Sequence, residues 1–160
     1  MQFFQDTGFL SSRASTACDM AYLILLAMIP VFAWNLELLL LRKNYRLHRK
    51  VQLLLTFALL VATVLAVAGF TVDGWEHRVA TPGAKIPGIT YMTLTIHVVF
   101  WVVTGMMWIG LLVQSLRKIP NPPKECDFGP FYVFWLIMLA LQHFLTTLTG
   151  WEFYLLAFCF

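Results

Sequence analysis

Residues 51–70 read VQLLLTFALLVATVLAVAGF, twenty positions without one charged or titratable side chain. Crossing the hydrocarbon core of a bilayer takes about 20 predominantly apolar residues in a helix. This stretch meets that length without interruption. In lipid, backbone N–H and C=O groups must be satisfied inside the protein, so an apolar run of this length predicts a helix. Three further runs flank it. Residues 18–41 are interrupted by Pro30, Asn35 and Glu37, residues 89–113 hold His97, and residues 130–157 hold His143.

The whole chain points the same way. Its 160 residues are 60 % hydrophobic and 12 % charged, where a soluble domain averages about 45–50 % and about 25 %. A water-soluble fold leaves about a third of its chain surface wet, too much to hide so many apolar residues. Disorder needs the opposite composition. The expected fold is all-α: an integral membrane four-helix up-down bundle over residues 17–160. Residues 1–16, where Phe3, Phe4, Phe9 and Leu10 mix with polar side chains, are expected to lie at the membrane surface. Gln5, Asp6 and Thr7 stand where a cleaved signal peptide would be positively charged, so the first span is expected to be retained.

Lysines and arginines orient such a bundle, because cytoplasmic loops carry the excess. Arg42, Lys43, Arg46, Arg49 and Lys50 lie between the first two runs, and Arg117, Lys118 and Lys124 between the last two. That is eight against Arg13, Arg78 and Lys85 on the other side. Both termini are therefore expected outside, in a bacterial cytoplasmic membrane. Beside long apolar runs these basic clusters read as orientation signals, not as a nucleic-acid surface. The outer loop has Asp73, Gly74, Pro82, Gly83, Pro87 and Gly88, a turn-rich set. Pro120, Pro122 and Pro123 end the third helix. Ala58, Ala62 and Ala66, followed by Gly69, form a small-residue stripe on which another helix can pack closely.

Ionisable groups within spans are costly and need a partner or a neutral form. Counted from the expected outer ends, His97 and His143 fall at one depth, about 12 Å down at 1.5 Å per residue. Two neutral imidazoles at one level could ligate a b-type haem or a copper ion. The alternative is that each bonds a nearby hydroxyl or carbonyl, with Thr93, Thr95, Thr104, Thr146 and Thr147 at hand. Glu37 is expected to snorkel or to pair with Arg42, Lys43 or the other basic residues that follow. Asp19 and Glu152 are expected to be solvated at the interface, and Gln52, Gln114 and Gln142 to bond between helices. Cys18, Cys126 and Cys159 lack any metal or redox spacing. The scattered methionines suit core filling better than copper. No nucleophile elbow, P-loop or paired-carboxylate site stands out, so the chain does not read as an enzyme.

Three motifs in order resemble a known family. Tyr45-Arg46-Leu47-His48-Arg49-Lys50 opens the second span. Ile96-His97-Val98 follows Tyr91 in the third. Leu148-Thr149-Gly150 precedes Phe153-Tyr154-Leu155-Leu156 near the end. This order resembles the four-helix membrane family of unknown function number four-twenty, the YozB-like proteins, some members of which are implicated in maturation of haem-copper cytochrome oxidases. The resemblance runs from about Leu40 to the C-terminus. It implies that His48 and His97 correspond to the family's recurrent histidines, as candidate metal ligands. One departure stands out: where the family has a His-Lys pair before the last span, this chain has Lys124-Glu125-Cys126-Asp127-Phe128-Gly129-Pro130, so Cys126 or Asp127 would have to substitute. His143 lies outside the family pattern. His48 opens one span while His97 lies deep in another, so the two are not expected to share an ion.

Three roles fit these features. One is a non-catalytic assembly factor or accessory subunit of a respiratory, haem-copper-oxidase-type complex, with lipid and other membrane subunits as partners. Another is a small haem b or copper electron-transfer protein using His97 and His143. A third is a structural subunit of another energy-transducing complex, including a photosynthetic one.

Overall fold

The computed structural model describes residues 8–10, 13–72, 74–79, 88–118 and 129–159, and among them no strand forms. The helices are α1 (Thr16–Leu40), α2 (Tyr45–Val72), the one-turn α3 (Trp75–Val79), α4 (Gly88–Lys118) and α5 (Pro130–Tyr154). A final π turn, Leu155–Cys159, continues α5. Four of these helices are long and apolar enough to cross a membrane, as residues 51–70 and their three companions predict.

Local chemistry sets the boundaries. The Ser15 hydroxyl accepts the Cys18 amide at 3.3 Å and starts α1, the usual service of a serine N-cap. The helix runs unbroken through Pro30, which faces outward. At its end the Leu41 and Arg42 amides both reach the Glu37 carbonyl, at 2.9 and 3.1 Å. Lys43 takes a left-handed φ of 49°. The Asn44 side chain then accepts the Leu47 amide at 3.1 Å, and α2 begins six residues earlier than expected. This corrects one expectation: Arg46, Arg49 and Lys50 lie on the first turns of α2, not in a loop. Their long stems let the charges reach the interface from there. Likewise α4 runs to Lys118, past the expected end at 113. Pro130 opens α5, a position where its missing N–H costs nothing.

The helices pack in pairs, α1 on α2 and α4 on α5, with α1 also against α5. The contacts join opposite ends. Gly69, late in α2, lies so near the start of α1 that a Cβ there would stand 2.7 Å from Cys18 Sγ and 2.8 Å from Ser15 Oγ. At the other end, the buried His48 Nδ1 donates to the Asn35 carbonyl at 3.1 Å. A core at the 41–44 turn end gathers Phe32, Leu38, Leu55, Trp108, Leu136 and Leu139. A second, at the terminal end, gathers Tyr22, Val79, Phe153, Tyr154 and Phe158, with Phe70 and Trp75 edge-on to or tilted against Phe153 at 5.9 and 5.5 Å. Of the alanine stripe, Ala62 is buried and Ala58 and Ala66 half-buried. The expectations for residues 1–7 and 11–12, for Asp73, Pro82, Gly83, Lys85 and Pro87, and for Pro120, Pro122, Pro123, Lys124, Cys126 and Asp127 fall outside the described residues.

Candidate functional site

Not every helix pair closes. The second and third long helices, α2 and α4, touch only sparsely, and two adjoining crevices open between them. One, of about 130 Å³, is walled by Tyr22, Ala62, Ala66, Phe70, Leu94 and His97. The other, of about 260 Å³, is walled by Leu59, Thr104, Gly105, Met106, His143 and Thr146. Leu25, Thr63 and Trp101 border both. Toward the turn end, α2 and α4 are tied where Trp108 Nε1 donates to Thr56 Oγ1 at 2.9 Å. The opening is lateral, with Val102, Met106 and Ile109 exposed along its rim.

Each crevice has one histidine in its wall. His97 Nδ1 lies 3.1 Å from the Thr146 carbonyl and 3.4 Å from Thr149 Oγ1. A carbonyl only accepts, so Nδ1 carries the proton and Nε2 keeps its lone pair. The ring lies over Gly150, where a Cβ would stand 2.6 Å from His97 Cε1. His143 is buried, stacked on Phe32 at 6.1 Å and edge-on to Trp108 at 5.9 Å. Neither of its ring nitrogens has a hydrogen-bond partner. The Leu25 carbonyl of α1 faces the ring.

The two rings are not at one depth, which corrects the expectation that they could share an ion. His97 rests on Gly150, seven residues beyond His143 on the same helix. Trp108, beside His143, is eleven residues from His97. At 1.5 Å per residue these offsets are about 10 and about 16 Å, whereas two imidazole nitrogens across one ion lie about 4 Å apart. His48 and His97, not expected to share an ion, lie apart: His48 is held at Asn35 by the turn end, and His97 rests near Tyr22. Thirteen residues of α1 separate those levels, about 20 Å of rise. Among the described residues no group of three or more His, Cys, Asp or Glu side chains could hold a metal.

Other polar groups fare variously. Gln142 donates to the Phe100 carbonyl at 3.3 Å, and the Thr104 and Thr146 hydroxyls meet at 2.6 Å across α4 and α5. Glu37 and Arg42 pair at 2.8 Å, both exposed, as expected. Glu152 is exposed, but Asp19 is not solvated. It is fully buried, accepting from the Tyr154 hydroxyl and, at 3.0 Å, from the Leu10 amide. Helix α1 turns Asp19 toward α5, and a phenol 135 positions away replaces the water. At the turn end Asn35 Oδ1 and Gln52 Oε1 are buried without a hydrogen-bond partner. Gln52 is expected to bond between helices, and its Oε1 makes no such bond. No protein-family model, no curated protein and no solved structure matches the chain.

Proposed function

We propose that this is a non-catalytic integral membrane protein, an assembly factor or accessory subunit of a respiratory, haem-copper-oxidase-type complex in a bacterial cytoplasmic membrane. Its four long helices cross in alternate directions, with both termini outside and the turn at residues 41–44 in the cytoplasm. The basic residues Arg42, Lys43, Arg46, Arg49, Lys50, Arg117 and Lys118 support that orientation. The resemblance to the family of unknown function number four-twenty supports the oxidase link. The observation that carries the role is the open seam between α2 and α4, an apolar lateral surface on which a helix of a partner subunit can pack. Affinity purification of the tagged chain in mild detergent tests it. Oxidase subunits should be enriched well above an unrelated four-span control, and equal recovery from both would reject the role.

A second reading is a haem b or copper carrier. It is favoured by one observation: His97 donates Nδ1–H to a backbone carbonyl, the arrangement that prepares the other ring nitrogen as a metal ligand. The ligand is then His97 alone, not a pair with His143. A visible spectrum with a Soret band that survives His143→Ala and disappears in His97→Ala would support it.

A further inference from the structure

Charge is unevenly matched at the turn end of the bundle. Among the described residues, seven lysines and arginines stand there against one acid, Glu37. That acid is already paired with Arg42 at 2.8 Å. Two of the remaining cations are aligned. Arg46 and Lys50 are four residues apart near the start of α2, and both are exposed. Positions i and i+4 share one helix face, about 6 Å apart along the axis. Among the described residues neither makes an ion pair.

The same face continues into the membrane as Leu53, Phe57, Leu60 and Val64, in steps of three and four residues. All four are exposed. The buried positions of α2, such as His48, Val51, Leu55 and Ala62, lie on the opposite side. The outward stripe of this helix is therefore cationic for one turn and apolar for the next three or four.

We propose that this stripe binds one anionic phospholipid, its phosphate between Arg46 and Lys50 and an acyl chain along Leu53, Phe57, Leu60 and Val64. The dimensions agree. From Lys50 to Leu60 is ten residues, about 15 Å of rise, and one leaflet is half of a hydrocarbon core about 30 Å thick. The charges agree as well, because basic residues at the end of a span attract anionic headgroups. A zwitterionic lipid brings its own cation and cancels that attraction. A soluble acidic peptide or free phosphate would use the cations and leave the apolar stripe unmatched.

Other duties do not account for the arrangement. Orientation needs only an excess of charge on one side of the membrane, not two cations stacked above an exposed apolar stripe. Nor do these side chains serve α2 itself. Its first turn holds no acid, and cations at a helix N-terminus oppose the helix dipole.

The proposal requires the helices to sit in a bilayer. It rests neither on the oxidase role nor on which face is cytoplasmic. Native mass spectrometry of the purified full-length chain, titrated with phosphatidylglycerol or phosphatidylcholine of identical acyl chains, tests it. Wild type should prefer phosphatidylglycerol about 30-fold, the factor for two cations at about 1 kcal/mol each. The double variant Arg46→Gln, Lys50→Gln should bring the two lipids to within about threefold. Arg117→Gln with Lys118→Gln removes the same charge from the same end of the bundle, and should keep the preference to within about twofold. Glycerol phosphate, the same anion without acyl chains, should not displace the bound lipid at equal concentration. Equal affinity of wild type for both lipids would overturn the proposal. So would an equal loss of preference in the two double variants, or displacement by glycerol phosphate.

Discussion

The seam between α1 and α2 and the seam between α2 and α4 are built from the same residue types but close differently. In the first, Gly69 lets α2 come so near α1 that Cys18 and Ser15 occupy the space a methyl group would need. In the second, Gly105 on α4 has nothing within 4 Å of its missing Cβ, and two crevices remain. Small residues permit close approach, but in lipid there is no hydrophobic drive to enforce it, because the tails are as apolar as leucine. What decides is whether a polar or close-packed anchor holds the pair. α1 and α5 have Asp19 and Tyr154, and α4 and α5 have His97, Thr146 and Gly150. α2 and α4 have the Trp108–Thr56 bond at one end and come apart beyond it.

The contrast can be broken from its strongest side first. Gly150→Val would force branched atoms into His97 and Tyr22, and should destabilise by about 3 kcal/mol, the upper range for overpacking. SDS-induced unfolding in mixed micelles measures it. Tyr154→Phe deprives the buried Asp19 carboxylate of a donor and should lose about 2 kcal/mol on the same assay, the usual worth of a hydrogen bond to a charged group. A paired measurement sharpens the comparison directly. Gly69→Ala should destabilise by about 1 kcal/mol through its contact with Cys18, whereas Gly105→Ala should be neutral or gain about 0.5 kcal/mol from helix propensity. If both alanines behave alike, the two seams do not differ as described. Last, Arg42→Gln removes an exposed ion pair and should change stability by no more than about 0.5 kcal/mol, less still in high salt.

Much of the fold was legible because it depends on sums over neighbouring residues. Residues 51–70 are a span whatever else the chain does, and the same arithmetic finds the other three. The depth of the histidines was not legible for a specific reason. Counting from assumed ends put both about eight residues down, but α4 starts at Gly88 and the last helix continues as a π turn to Cys159. His97 is nine residues from one end and His143 sixteen from the other, so the levels separate. The burial of Asp19 is not legible, because it depends on Tyr154 and nothing near residue 19 reports that. The start of α2 was within reach, since Asn44 is a good N-cap, but the run of basic residues that follows resembles a loop. The cleft left no mark at all. A leucine facing lipid and one facing a neighbouring helix satisfy the same hydropathy, so sequence does not distinguish an open seam from a closed one.

Joining residues 19 and 154 has a consequence for how the protein is made. Synthesis delivers the first span well before the last. Asp19 therefore enters the membrane region with its eventual phenol partner not yet translated. The bond is thus a late closure that only a finished chain can make. A ribosome that stops before residue 154 yields a product in which Asp19 keeps the Leu10 amide and lacks the phenol.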